Sequence, residues 1–134
     1  MPLFDVFPDA EAAASIILRN ANISGGRVYS SIPATPTFPL IVVERVGGIP
    51  AVRQRLDRAR VQISTWGNSK SETRLIAMQA RAALLTAEGT TVVISTGNAV
   101  ITGVDDDLGL FWSPDSATDR DRHIFGVEIF LHAP

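Results

Sequence analysis

Few residues in this chain have types that could do chemistry, and their spacing limits what they could do. Asp105-Asp106-Asp107 sets three carboxylates in succession, the hard oxygen donors that a divalent cation prefers. No bidentate glutamate follows at the twelfth position of a calcium loop, so a solvated turn after a strand is expected. Arg53, Arg55, Arg58 and Arg60, with Trp66 nearby, could grip phosphates and stack on a base. In extended chain, Arg53 and Arg55 fall on one face and Arg58 and Arg60 on the other, which spreads the charge, and Asp57 dilutes it. Arginine is also enriched at protein interfaces, where its fork finds carboxylates. A protein interface or a solvated loop is therefore expected, and specific nucleic-acid recognition is not. His123 and His132 lie nine residues apart in one strand candidate, hence on opposite faces, each as a surface or edge residue. No serine sits in a nucleophile elbow, and neither standard glycine-rich phosphate loop is present. The chain has no cysteine, which excludes disulfides and thiolate metal sites. No catalytic, cofactor or metal site is expected.

The elements that would position these residues are written more plainly than the residues themselves. Arg60 to Trp66 alternates as a half-buried strand, with Val61, Ile63 and Thr65 on one face. Gly67-Asn68 breaks it, and Ser69 stands three residues before Glu72, the capping-box spacing that opens a helix. Leu75, Met78, Ala82 and Leu85 follow as a stripe that Ile76, Ala80 and Ala83 widen, and Gly89 suits the helix end. Upstream, Pro8–Asn20 is predicted as a first helix, with Ala13, Ile16, Ile17 and Asn20 on one face. Arg27–Ile32 is a short strand candidate, and the prolines of Pro33–Pro39 demand an extended connector. Leu40–Val46 is β-branched and strand-forming. Gly47–Asp57 is predicted as a loop or an extended hairpin tip. Thr90–Ser95 and Ala99–Val104 flank a hairpin turn at Thr96-Gly97-Asn98. After Phe111-Trp112, Pro114 ends any ladder, so Asp115–Arg122 should leave the sheet as a charged loop. His123–His132 alternates again, with Phe125, Val127, Ile129 and Leu131 on one side.

The order α-β-β-β-α-β-β-β predicts an α+β fold: an antiparallel or mixed sheet with two helices packed on one face. Ile63, Leu75, Met78, Leu85, Val92, Ile94, Val127 and Ile129 are the expected core. At 134 residues, with 46% hydrophobic and 19% charged, the chain fits a single folded domain, residues 1–134, rather than disorder. Twelve basic and fourteen acidic residues leave a net charge near −2, which supplies no global attraction to DNA or to an anionic membrane. Met1–Asp5 lacks a basic segment followed by an apolar run, so no signal peptide is expected. No apolar run approaches the ~20 residues of a membrane span, and a soluble protein is expected.

Four stretches, in order over nearly the whole length, carry a resemblance. They are Leu3–Pro8 opening into a helix; Ser31-Ile32-Pro33 leading through prolines to Pro39–Gly48; Asp57–Gly67 followed by a helix; and Leu110–Asp115, a polar gap, then Arg122–Ile129. Together they resemble the tail-terminator (tail completion) proteins of long-tailed bacteriophages. His132 stands where such proteins usually carry a charged residue in the terminal strand. The resemblance implies a subunit of a hexameric ring in the virion, assembled in the host cytoplasm. That ring ends tail-tube polymerisation at the head-proximal end and joins tail to head. Its partners would be further copies, the major tail-tube protein and head–tail connector proteins. DNA could pass through the ring without being read, and no enzyme activity, cofactor or membrane is implied. A head–tail connector or neck protein is the alternative within the same class, and a small nucleic-acid-binding module lies further off. On this view Arg53 and Arg55 serve a subunit interface or line the lumen. Trp112 either plugs its own core or anchors a neighbouring subunit or the tube, with Asp115 and Arg120 in a charged rim around it.

Overall fold

A computed structural model describes residues 6–134; the Leu3-Phe4-Asp5 part of the first stretch lies outside them. Helix α1 spans Ala10–Asn20. It begins two residues later than Pro8 because Asp9 is the N-cap, its Oδ1 accepting from the Ala12 N–H at 3.1 Å. Its buried face is Ala10, Ala13, Ala14 and Leu18, so the stripe is rotated from the expected one and Asn20 is exposed. A 3₁₀ turn at Ile23–Gly26 leads to β1, which keeps only Val28–Tyr29 of the Arg27–Ile32 candidate. Strands β2 (Leu40–Gly47) and β3 (Asp57–Gly67) form a long antiparallel pair. Gly48 (φ +99°) lies so close to β3 that a Cβ there would sit 2.1 Å from the Arg58 carbonyl oxygen, a position open only to glycine.

Helix α2 (Lys70–Thr86) is capped as its sequence announces, with Ser69 Oγ accepting from the Glu72 N–H at 3.1 Å. The reciprocal bond is displaced by one residue: Glu72 Oε1 accepts from the Asn68 N–H at 2.9 Å. Strand β4 (Thr91–Ile94) returns through β5 (Gly97–Trp112), pairing Ile94 with Gly97, so the turn is Ser95-Thr96 rather than Thr96–Asn98. Asp105-Asp106-Asp107 is not a turn. It lies inside β5, which runs on to Trp112 through three register shifts against β6 (Asp121–His132). Successive strand side chains point to opposite faces, and Asp106 and Asp107 accordingly pair with arginines of two different elements, Arg81 and Arg60.

The sheet order is β1-β2-β3-β6-β5-β4, antiparallel except for β1 with β2, the mixed α+β arrangement that was predicted. Both helices lie on one face. Helix α2 covers β3, β5 and β6, while α1 touches β1 and β2 at one edge and β4 at the other, so the sheet is curled around it. The main core fills this concave side, with Ile63, Phe125, Val127, Ile129 and Leu131 beneath the helices. A smaller cluster of Leu40, Val42 and Trp66 sits on the opposite face, against Tyr29 and Phe38 of the proline-rich connector.

The helix stripe is the main correction. The buried residues of α2 are Thr73, Ile76, Ala77, Ala80 and Leu84. Leu75 is 56% and Met78 46% exposed, and Leu85 is half-buried. Two features set this rotation. Ala77 and Ala80 let the helix approach a sheet that already supplies the bulk, and Thr73 meets a buried histidine on β6. Of the other expected core residues, Ile63, Val92, Ile94, Val127 and Ile129 are buried.

Candidate functional site

The residues singled out from the sequence fall at opposite ends of the sheet. Arg53 and Arg55 lie in the loop before β3 begins, while Trp112, Asp115 and Arg120 lie where β5 turns into β6, beside the end of β3. Eleven residues of β3 separate the two ends, about 35 Å at strand rise.

At the first end, the loop is a small hairpin tip closed by a bridge between Val52 and Leu56. The Leu56 and Arg55 N–H groups both donate to the Val52 carbonyl, at 2.9 and 3.0 Å. Its base is clamped by Arg45, whose guanidinium donates to both oxygens of the buried Asp57 carboxylate at 2.6 and 3.0 Å, and to the carbonyls of Gly47 and Gly48. The Asp57 hydrogen bond, ahead of the opposing effect of burial, raises the Arg45 pKa above its ordinary value. Arg53 and Arg55 project from this clamped tip, exposed, with no ion pair among the described residues. Arg58 and Arg60 share one face of β3 instead, and Arg60 Nε is tied to Asp107 at 3.0 Å. The four arginines therefore form no continuous basic patch.

The second end is a braced hairpin rather than a loose loop. The Ser113 N–H donates to the Arg122 carbonyl at 2.7 Å, and Asp115 and Arg120 form a bridge. Trp66 Nε1 donates to Asp115 Oδ2 at 3.0 Å, and Asp115 also accepts from the Thr118 hydroxyl and the Ala117 N–H. The indole bond, foremost, holds the Asp115 carboxyl below its ordinary range. Arg120 lies 4.4 Å over the Phe38 ring and donates to Asn68 Oδ1 at 2.7 Å, while Arg122 faces the Trp66 ring. Trp112 is 44% exposed; its Nε1 donates to Asp121 Oδ1 at 3.0 Å, and Lys70 Nζ stands 4.2 Å over its ring. Trp112 thus plugs no core. That role belongs to Trp66, which is 4% exposed. Its signal was present, since it ends a strand whose even positions face Leu40 and Val42, but alternation alone placed it with the polar residues Gln62 and Ser64.

His123 is the other departure. It is 3% exposed, with Nδ1 2.8 Å from Thr73 Oγ1. Thr65 Oγ1 completes the node, donating to the carbonyl of Thr73 at 3.0 Å, with the His123 carbonyl at 3.3 Å. Burial, then Lys70 and Arg74, depress its pKa below the usual histidine value. A strand register facing α2, invisible without the sheet, buried a residue expected at the surface. The acidic triplet is divided: Asp106 accepts both bonds from Arg81 of α2 at 2.7 Å, and Asp107 turns to Arg60 on the other face. Among the described residues no group of three His, Cys, Asp or Glu side chains is arranged to hold a metal ion, and no helix is long and apolar enough to cross a membrane.

The sequence model of a family described as "Tail completion protein gp17" matches residues 18–109. Among solved structures, a chain of the virion of a native gene transfer agent (GTA) particle superposes with a TM-score of 0.53. That match covers 93% of this chain and 87% of the other, at 18% identity, a likeness of fold. No curated protein matches the chain.

Proposed function

The chain belongs to the family of tail completion protein gp17, a structural family of the virion, and from that membership we propose that it is the subunit of a six-fold ring. The ring ends tail-tube polymerisation at the head-proximal end of the tail and joins the tail to the head. Its mechanism is interface complementarity, with no reaction. Its partners are further copies of the chain, the major tail-tube protein and the head–tail connector proteins, and DNA passes through the ring without sequence being read. The observation that carries this is the family match from Leu18 to Gly109, which includes β2, β3, α2 and most of β5.

The two ends of the sheet fit the division of labour such a ring needs. A clamped tip presents Arg53 and Arg55, and a braced hairpin presents Trp112, its indole held by Asp121 and covered on one side by Lys70, with Asp115 and Arg120 gathered around Trp66 and Phe38. Loops and hairpin tips on a rigid scaffold are where binding residues concentrate. An exposed tryptophan held in place by hydrogen bonds is a favoured interface anchor. Electron microscopy of the purified chain, alone and mixed with polymerising tail-tube protein, tests the proposal. Closed rings and tubes with one capped, non-growing end are expected. Dispersed chains beside freely growing tubes would overturn it.

A further inference from the structure

We infer that the outer face of α2 on one copy of the chain seats against the free edge of β2 on the next, Arg74, Leu75 and Met78 meeting Glu11, Glu44 and Val46. This rests on the proposed ring and names the surface that closes it.

Helix α2 carries two apolar faces. One is buried on the sheet, and the other leaves Leu75 and Met78 open to solvent although both are large. A helix apolar on more than one side normally has both sides covered. Arg74, on the same outer turn, is exposed and makes no ion pair among the described residues. On β2, the strand β1 covers only Ile41 and Val42, so from Val43 to Gly47 the outer ladder has no strand partner among the described residues. Glu44 and Val46 are exposed there, one carboxylate and one apolar side chain two residues apart where the β2–β3 register shifts between Arg45 and Gly47. Glu11 of α1 comes to the same edge. Its carboxyl is pushed above the ordinary glutamate range by burial and by the like charges of Asp9 and Glu44, while the Arg45 backbone N–H pulls the other way.

One patch is apolar and cationic, and the other apolar and anionic with more negative charge than its own surroundings neutralise. They sit on different elements: α2 covers β3, β5 and β6, whereas Glu44 and Val46 lie on β2 beyond β3. A ring needs a heterologous contact, two different and mutually complementary patches on each subunit. A second copy supplies both halves from one sequence, which makes it the occupant.

Native mass spectrometry and electron microscopy of Arg74→Glu, Glu44→Arg and the combined variant test this. Both sites are exposed, so melting temperatures should stay at the wild-type value. Each single reversal should raise the concentration needed for assembly roughly tenfold or more, and the combined swap should restore it. Leu75→Asp should weaken assembly without unfolding the chain. Wild-type chain that never closes into rings overturns the ring itself. Wild-type rings together with single variants that assemble normally, or with a swap that fails to restore assembly, overturn this surface and leave the ring standing.

Discussion

Trp66 and Trp112 both end a strand beside a polar turn, and both indole N–H groups donate to an aspartate, yet their surroundings differ. Trp66 is covered by Leu40, Val42 and Phe38, whereas Trp112 has Lys70 on its ring and solvent around it. Trp66→Ala should therefore cost about 3–5 kcal/mol, the cost of emptying a buried aromatic site, and strand Asp115 without its main hydrogen-bond donor. Trp112→Ala should change stability by about 1 kcal/mol or less, as surface substitutions do. Thermal melts of the two variants compare these directly, and equal losses would contradict both assignments. His123 adds a pH dependence. Its folded pKa is depressed, so the unfolded chain binds more protons as acidity rises. Stability should be complete above the ordinary histidine pKa of 6.5 and should fall as pH drops below it. Melting temperatures followed from about pH 8 to about pH 5 should show that slope, and His123→Gln should flatten it, because glutamine does not titrate in that range.

At the scale of elements, α2 shows how a helix can be recognised correctly and rotated wrongly. Its cap, its length and its apolar content were all legible at Ser69, Glu72 and the stripe beyond. Which stripe faces the sheet depended on Thr73 reaching His123 and on Ala77 and Ala80 permitting close approach, and helical periodicity does not rank two apolar faces. Leu84→Ala should lose about 2–5 kcal/mol through transfer energy and a residual cavity. Leu75→Ala should be nearly neutral, because that side chain is largely solvated. Denaturant melts measure both, and a large loss at Leu75 would restore the original stripe to the core. Strand β5 teaches a related lesson. Three successive aspartates read as a turn, yet the strand continues, with Asp106 answered by Arg81 on one face and Asp107 by Arg60 on the other.

At the scale of the whole molecule, the curled sheet separates the clamped arginine tip from the braced tryptophan hairpin by the length of β3. Charge reversal at both Arg53 and Arg55 should leave the monomer folded, since neither side chain makes an ion pair among the described residues, and should impair ring formation or tube capping. Sedimentation of the double variant and counting of capped tubes by electron microscopy would measure this. Wild-type capping would assign the tip some other purpose.

Local chemistry alone determined much of this protein. The order of helices and strands, the cap of α2, the proline-rich connector, the alternating core of β6 and the α+β class all follow from propensity and periodicity within short windows. The resemblance of four ordered stretches to tail-terminator proteins was likewise present in the residues. The tertiary structure decided everything that depends on two distant segments meeting. It chose the face of α2, buried His123 through a partner fifty positions away, made Trp66 rather than Trp112 the buried indole, and kept the acidic triplet in a strand by supplying arginines from two other elements. Each outcome turns on which neighbour removes water from a side chain or answers its charge, and a neighbour brought by the fold leaves no trace in local spacing.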